Sequence, residues 1–578
     1  MVVNGMLADR RRSPFDVLVA VALAAITLFV FLPALWGGWV QFDDDRNFLD
    51  NVAYRGLGPA QVRWMVSAAI MGHWTPVTWL THGADYVVWG MNPFGYHLGN
   101  VLLHAANAAL VYALALRLLG AAMPGAAIVP RRLGAAAATL AFALHPLRAE
   151  SVAWITERRD VLSAFFALAS VLAYLHFCAA AEGRRARYLA SLGLFALGLL
   201  SKSMLVSLPA VFLVLDVYPL RRLQPRAWRS PAARTVVLEK LPYLALALAS
   251  VAVTSSVMAR TVRVTSLALY PVSARLAMAA YSLVFYPWKL LAPLDLMPMY
   301  ELPVHVSLLE PRFLVPMALV VVTTVALVLA RHRWPAGLAI WLAYAALLAP
   351  VSGLAHAGPQ LVADRFSYLP SLALALLLGA GVVAATRQAV LGRAVLVAVG
   401  LWIASMASLT WAQVQAWHDT DTLFAYAIEV DPDCGWCYAQ YGGALGNRGD
   451  LPGAIPLLER AAALRPHRSG YQAQAGLALL KAGRAADAVP YLDRAVAMQP
   501  GNLDAVTNLG LALVEVGHAA DALPYLERAA AGRPSAAEPR VGLVRVHRAL
   551  GRRADADAEL TVLRRLDPSL AAGLRQPR

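Results

Sequence analysis

The stretch "FDVLVAVALAAITLFVFLPALWGGWVQFDDDRNFLDN", residues 15–51, joins a long apolar run directly to three consecutive aspartates. A run of that length with a single charge near its start reads as a helix that crosses a bilayer. The acids behind it then fall in the first loop on the far side. The run lacks a small-residue cleavage site, which favours an uncleaved anchor over a signal peptide. Neighbouring carboxylates repel each other, so holding Asp43, Asp44 and Asp45 together at a membrane edge calls for a reason.

The rest of the chain agrees with a membrane reading. Of 578 residues, 59% are hydrophobic and only 15% charged, too apolar for an ordinary soluble protein. The net charge of +15 could suggest nucleic acid. Residues 412–578, however, carry 18 Lys+Arg and 18 Asp+Glu, so all of the excess lies upstream and nucleic acid is excluded as a partner. Residues 1–411 read as about eleven spans, with cores at 16–37, 96–118, 133–145, 161–180, 188–201, 204–218, 241–258, 313–330, 336–350, 370–386 and 394–411. The segment 276–292 is also apolar but contains Pro287 and Lys289, and reads as a re-entrant or interfacial helix. With that segment not crossing, 19 of the 32 Lys+Arg upstream of residue 412 collect on one side. The positive-inside rule then makes the N-terminus cytoplasmic and the C-terminal region extracytoplasmic.

From residue 431 the pattern changes to a strict period of 34. Prolines recur at Pro432, Pro466, Pro500, Pro534 and Pro568, and glycines at Gly449, Gly483, Gly517 and Gly551. Alanines follow at Ala454, Ala488, Ala522 and Ala556, with further glycines at Gly442, Gly476 and Gly510. This is the spacing of tetratricopeptide repeats, helix pairs whose small residues allow close packing. About four repeats span 435–570, with 418–434 supplying a leading helix. The fold class is therefore all-α: a polytopic membrane domain, 1–411, followed by an α-solenoid, 412–578. Such a solenoid binds peptide or protein, or serves as a rigid spacer. Cys434 and Cys437 at its start can form a disulfide, remain core thiols, or do redox chemistry.

On this topology the outer loops gather acids, bases and aromatic residues. A raised carboxyl in the aspartate triplet suits a general base, although a solvated loop start explains the triplet as well. Arg148, Arg158, Arg159, Lys202 and Arg365 could grip phosphate oxygens or pair internally with Glu150, Asp160 or Asp364. His97, Asn100 and His104 share one helix face; helix-packing hydrogen bonds are favoured there over metal ligation.

Six stretches in order carry a resemblance. They are "FDDDRNFLDN", "WTPVTWLTHGADYVVWGMNPFGYHLGNVLLH", "FALHPLRAESVAWITERRDVLSAFF", "LLSKSMLVSLPAVFLVLDVYPL", "YPVSARLAMAAYSLVFYPWKLLAP" and "ADRFSYLP". With the repeats behind them, the chain resembles the transmembrane and tetratricopeptide repeat-containing O-mannosyltransferases, and more closely their bacterial relatives, within the GT-C class of polyprenyl-phosphate-sugar-dependent glycosyltransferases.

The resemblance implies an outward-facing active site with Asp43 and Asp44 as its catalytic pair and Asp45 as an extra acid. It places substrate-binding residues at His145, Glu150, Arg158, Asp160, Lys202, Asp364 and Arg365. Arg148 stands where relatives usually carry histidine, and Ser203 where they carry proline or glutamate. The implied reaction moves a sugar, mannose by resemblance, from a polyprenyl phosphate to Ser or Thr hydroxyls of secreted proteins recruited by the repeats. It would take place at a bacterial inner (plasma) membrane, with membrane lipid around the spans and the repeats in the periplasm. A cell-envelope glycan or lipid as acceptor, and a non-enzymatic scaffold, are the competing readings. The acidic pair could hold Mg²⁺ or Mn²⁺ through oxygen ligands or work as a bare base.

Overall fold

The computed structural model describes residues 13–180, 182–224, 227–261, 267, 269–354 and 358–574. The arginines at 10–12, expected on the cytoplasmic side, lie outside the described residues. The chain is 77% helical, and its only described sheet pairs Tyr300–Glu301 with Gln360–Val362, so the class is all-α. It divides into two compact units, residues 1–423 and 424–578.

In the first unit every expected span is helical. Five helices are long and apolar enough to cross a membrane: Pro93–Ala122, Ile155–Ala179, Pro231–Arg260, Pro311–His332 and Ala389–Ala416. Pro14–Val30, Ser203–Val217, Pro335–Val351 and Ser371–Ala385 are shorter apolar helices. Of the remaining two expected spans, 133–145 overlaps Ile128–Ala143, which ends two residues sooner, and 188–201 lies in Arg184–Ser201. Both carry arginines near their starts (Arg131 and Arg132; Arg184, Arg185 and Arg187) and fall short of that length and apolarity.

These helices fit a membrane protein because their apolar residues often point outward. Val315, Val321, Val322 and Val325 of Pro311–Leu329 are all more than half exposed, a cost in water that disappears against lipid. Ile155–Ala179 is the most enclosed of the five long helices. The segment read as re-entrant forms the helix Val272–Leu291, with Pro287 inside it and Lys289 donating to the carbonyls of Leu294 and Asp295.

The first unit reaches past residue 411 because the chain beyond that point packs back onto it. Trp417 stacks on Trp154, with ring centroids 5.6 Å apart, and the Thr420 hydroxyl accepts from the Gln41 amide at 2.9 Å.

In the second unit, four helix pairs follow one another: Gly435–Asn447 with Leu451–Leu464, Ser469–Lys481 with Ala485–Met498, Leu503–Glu515 with Ala519–Gly532, and Glu538–Ala549 with Arg553–Leu566. A Cβ on Gly442, Gly476 or Gly510 would come within 2.7, 2.5 or 2.6 Å of Leu458, Leu492 or Leu526. Close approach of the paired helices thus demands glycine at that point in the first three pairs, whereas the fourth carries the buried Val544 there. Ala454, Ala488 and Ala522 are fully buried, and Cys434 and Cys437 form a buried disulfide at the first repeat.

Candidate functional site

The acidic loop is fixed by its aromatic residues. Trp39 packs on Phe48 and Tyr96, and Phe42 stacks on Trp154 at 4.5 Å. Between these anchors the two aspartates receive opposite environments. Asp44 is fully buried; one oxygen accepts from the Val40 amide at 3.0 Å, the other from the Thr156 hydroxyl at 2.6 Å and amide at 3.3 Å. Asp43 is partly exposed, and among the described residues its carboxylate makes no hydrogen bond.

Burial raises both acids. It pushes Asp43 up to about 6, against the pull of the Arg159 and Arg365 guanidiniums, because enough protein surrounds the group to strip its hydration even though one edge stays open. Asp44 is pushed up to about 7 by complete burial, which outweighs its hydrogen bonds. Both carboxyls therefore titrate close to neutrality.

Beside Asp43 lies a network centred on Glu157, which is fully buried. Arg159 donates to Glu157 Oε1 at 2.6 Å, and Lys202 donates to Glu157 Oε2 at 2.9 Å and also to Asp160. Arg365 Nε stands 3.4 Å from Glu157 Oε1. Glu150 holds Arg365 in turn, accepting from its backbone amide at 2.7 Å and from its Nη1. Asp160 also accepts from Ser151 Oγ at 3.3 Å.

Asp364 receives the Tyr300 hydroxyl at 2.9 Å, at the end of the two-stranded ribbon that positions this turn. Arg148 donates to Ser367 Oγ at 2.6 Å and lies over Tyr368, while its Nε and Nη1 are buried without a partner among the described residues. Within the network, Arg159 Nη1 and Arg365 Nη2 make no hydrogen bond among the described residues. Both guanidiniums act on Asp43, so an added anion beside that acid would find unspent donors.

Two expected substrate contacts are otherwise engaged. Arg158 spends its nitrogens on Asn100 Oδ1 at 2.7 Å, on Asp85 and on the Tyr96 carbonyl, which leaves no fork for phosphate. His145 caps the turn Pro146–Arg148 by accepting from the Leu147 amide through Nδ1, and its Nε2 lies 3.1 Å from the Leu290 carbonyl. That pairing assigns a neutral ring with its proton on Nε2. The structure thus gathers Asp43, Glu150, Asp160, Lys202 and Arg365 around one network, sets Asp364 at its edge, and gives Asp44, His145 and Arg158 supporting bonds.

His97, Asn100 and His104 pack helices together: His97 with the Gly38 carbonyl, Asn100 with the carbonyls of Val152 and Trp154, and His104 with Tyr368 and the Ala143 carbonyl. Glu157, the hub, was not anticipated from sequence; its only signal there is that it opens the charged run Glu157–Asp160 between apolar segments. Among the described residues no three His, Cys, Asp or Glu side chains converge in metal-binding geometry. Both Asp44 oxygens are taken by protein donors, so the aspartate pair is not a preassembled Mg²⁺ or Mn²⁺ site.

Comparison with known proteins adds a relationship to this geometry. The chain is 34% identical over 159 residues to Protein O-mannosyl-transferase Tmtc1 of Drosophila melanogaster, covering 26% of this chain and 17% of that protein. It is 36% identical over 154 residues to Protein O-mannosyl-transferase TMTC2 of Homo sapiens, again 26% and 17% of the two chains. A third relative, Protein O-mannosyl-transferase Tmtc2 of Drosophila melanogaster, is 30% identical over 206 residues, 33% of this chain and 21% of the relative. The matched stretches thus span about a fifth of these relatives. A family model described as tetratricopeptide repeat matches residues 513–576. Among solved structures, the repeat protein YrrB, titled as having an unusual peptide-binding site, is 20% identical, covering 30% of this chain and 87% of its own, with a TM-score of 0.25.

Proposed function

Taking as premise that this chain resembles the TMTC-type protein O-mannosyl-transferases and carries tetratricopeptide repeats, we propose that it is an integral membrane glycosyltransferase. It transfers a hexose, mannose by relationship, from a polyprenyl phosphate to a serine or threonine hydroxyl of a protein held by the repeats. One observation carries the reading: the Asp43 carboxylate makes no hydrogen bond among the described residues, and it lies beside Arg159 and Arg365, each of which keeps one terminal nitrogen, Nη1 and Nη2 respectively, without a hydrogen bond there.

In the proposed reaction the acceptor hydroxyl attacks the anomeric carbon while its proton passes to a carboxylate oxygen of Asp43. A carbon–oxygen bond forms to the acceptor, the bond from the anomeric carbon to the phosphate oxygen breaks, and its electron pair stays on the phosphate. Single displacement inverts the anomeric centre. Arg159 and Arg365 meet the charge that develops on the leaving phosphate, and the Glu157 hub keeps the two guanidiniums in place. A base whose pKa lies near the working pH is well matched to this transfer. A purely structural scaffold would have no use for an unpaired acid beside two guanidiniums with spare donors.

On this proposal the site and the repeats face away from the cytoplasm. The test is transfer of labelled mannose from polyprenyl-phosphate mannose to serine- and threonine-containing peptides by the purified chain. Absence of transfer from any polyprenyl-phosphate sugar, with the protein correctly inserted, would refute the enzyme reading.

A further inference from the structure

Next to the Glu157 network a small cleft is lined by Asn47, His73, Thr75, Trp79, His82 and Arg159, among other residues. Arg159 belongs to both, since it lines the cleft and is the first cation acting on Asp43. His73 reaches the cleft from a tight turn in which Ile70 and His73 exchange backbone hydrogen bonds at 3.0 and 2.8 Å. Met71 and Gly72 between them take positive φ angles of 50° and 82°. A methionine in that conformation is unfavourable, and the turn retains it where it presents His73.

His82 stands on the helix Pro76–Trp89 with only 2% exposure, boxed by Phe48 at 4.8 Å and Tyr96 at 6.0 Å. Its Nδ1 is buried without a hydrogen bond, with an Asp85 oxygen no nearer than 3.9 Å. Neither ring nitrogen of His73 makes a hydrogen bond among the described residues. Two imidazoles with unspent hydrogen-bonding capacity, meeting in one cleft, call for partners that enter from outside.

We propose that this cleft, of about 20 Å³, receives a hydroxyl of the donor lipid's hexose, with His73 and His82 as the residues that read it. The proposal rests on the transferase reading above and assigns which residues recognise the sugar as distinct from the phosphate. The chemistry of the lining selects the ligand class. Burial, together with Arg159 and Lys202 for His73 and with Arg158 and Arg159 for His82, holds both imidazoles well below their ordinary pKa. They are therefore neutral at physiological pH.

A neutral imidazole offers one donor and one acceptor, the complement of a sugar hydroxyl, which does both. Asn47 and Thr75 add uncharged polar groups, and Trp79 an aromatic wall suited to C–H faces. The one charge in the lining, Arg159, lies where the cleft meets the network proposed to hold phosphate. A sugar–phosphate linkage would place a neutral hydroxyl of its ring among neutral groups and its charge at the guanidinium.

The experiment titrates the full-length protein in lipid nanodiscs with polyprenyl phosphate and, separately, with polyprenyl-phosphate mannose. Wild type should prefer the mannosylated lipid. His73→Ala should lower that preference by about fivefold, the effect of losing one neutral hydrogen bond, while affinity for the bare lipid phosphate is unchanged. His82→Phe, which keeps an aromatic ring in the box but deletes both nitrogens, should act in the same direction. Should His82→Phe fail to fold, His73, on a partly exposed turn, decides the matter alone. Preserved preference in the folded variants, or an equal loss for both lipids, overturns the subsite while leaving the transferase reading intact. Equal binding of the two lipids by wild type overturns it as well. Failure of wild type to bind either lipid removes both readings.

Discussion

The helix Arg158–Ala179 carries a buried charge cluster at each end, and the two are built on different terms. At its far end Asp216 accepts from the Tyr174 hydroxyl at 2.7 and 2.8 Å and from Arg222 at 3.0 Å, and pairs with Lys240 at 2.6 Å. Glu239 closes the other side of Arg222 at 2.7 Å, and the Cys178 sulfur accepts from Arg222 as well. Around Asp216 the charged groups answer one another. At the near end the Glu157 network is as deeply buried, yet Asp43, Arg159 and Arg365 keep bonding capacity in reserve. Burial of charge alone thus does not distinguish a joint from a site. Unspent donors and acceptors do, because each is a cost that only an incoming ligand or water repays.

Breaking this contrast begins with its sharpest element. Asp43→Asn keeps the size of the side chain and removes the base, so transfer should fall by about 10²- to 10⁴-fold with normal membrane insertion. Asp44→Asn should instead lower thermal stability, because its amide end cannot accept from the Val40 amide, and should impair turnover less. Turnover in Asp43→Asn above about a tenth of wild type, far more than loss of a base allows, would return Asp43 to the class of structural carboxylates.

At the closed cluster, Lys240→Met should destabilise the protein by about 3–5 kcal/mol, as measured by thermal or denaturant unfolding in detergent, because it leaves the buried Asp216 to share Arg222 with Glu239. Unchanged melting would mean that the cluster is not the joint its geometry describes.

The arginines separate next. Arg365→Lys should weaken donor-lipid binding by about 1.5–3 kcal/mol, whereas Arg158→Lys should leave donor binding unchanged and lower only the melting temperature. The converse pattern in a binding titration would reassign Arg158 to the phosphate.

The gentlest test is pH. A base acts when deprotonated, and with Asp43 near pKa 6 the value of kcat/KM should be flat above about pH 7 and decline progressively below pH 6. Activity sustained unchanged down to pH 4.5 would show that Asp43 does not titrate where its burial places it.

How far the sequence could be read followed the range of the forces at work. The repeats were legible because their determinants recur every 34 residues and act over one helix pair, as Gly476 does against Leu492. The helical spans were legible from apolar runs, though arginines in Ile128–Ala143 and Arg184–Ser201 blunt two of them. Within the acidic pair, sequence could not tell Asp43 from Asp44. The difference lies in a hydroxyl 112 positions away, on Thr156, which spends one aspartate and leaves its neighbour open. Arg158 looked available for the same reason, since the groups that consume it, Asp85 and Asn100, lie 73 and 58 positions upstream. Glu157 escaped notice because its importance is a matter of how many partners meet at it, and no local pattern encodes that.

The four glycines that turn each helix pair, Gly449, Gly483, Gly517 and Gly551, take φ angles of 85°, 76°, 87° and 72°, one per repeat. In that conformation a side chain is strained, so each turn is locked to the period and none can drift in register. The solenoid therefore behaves like a ruler with fixed graduations. It can be lengthened or shortened by whole divisions of 34 residues without redesign of what remains, whereas removal of a fraction of a division misaligns every stacked face beyond the cut.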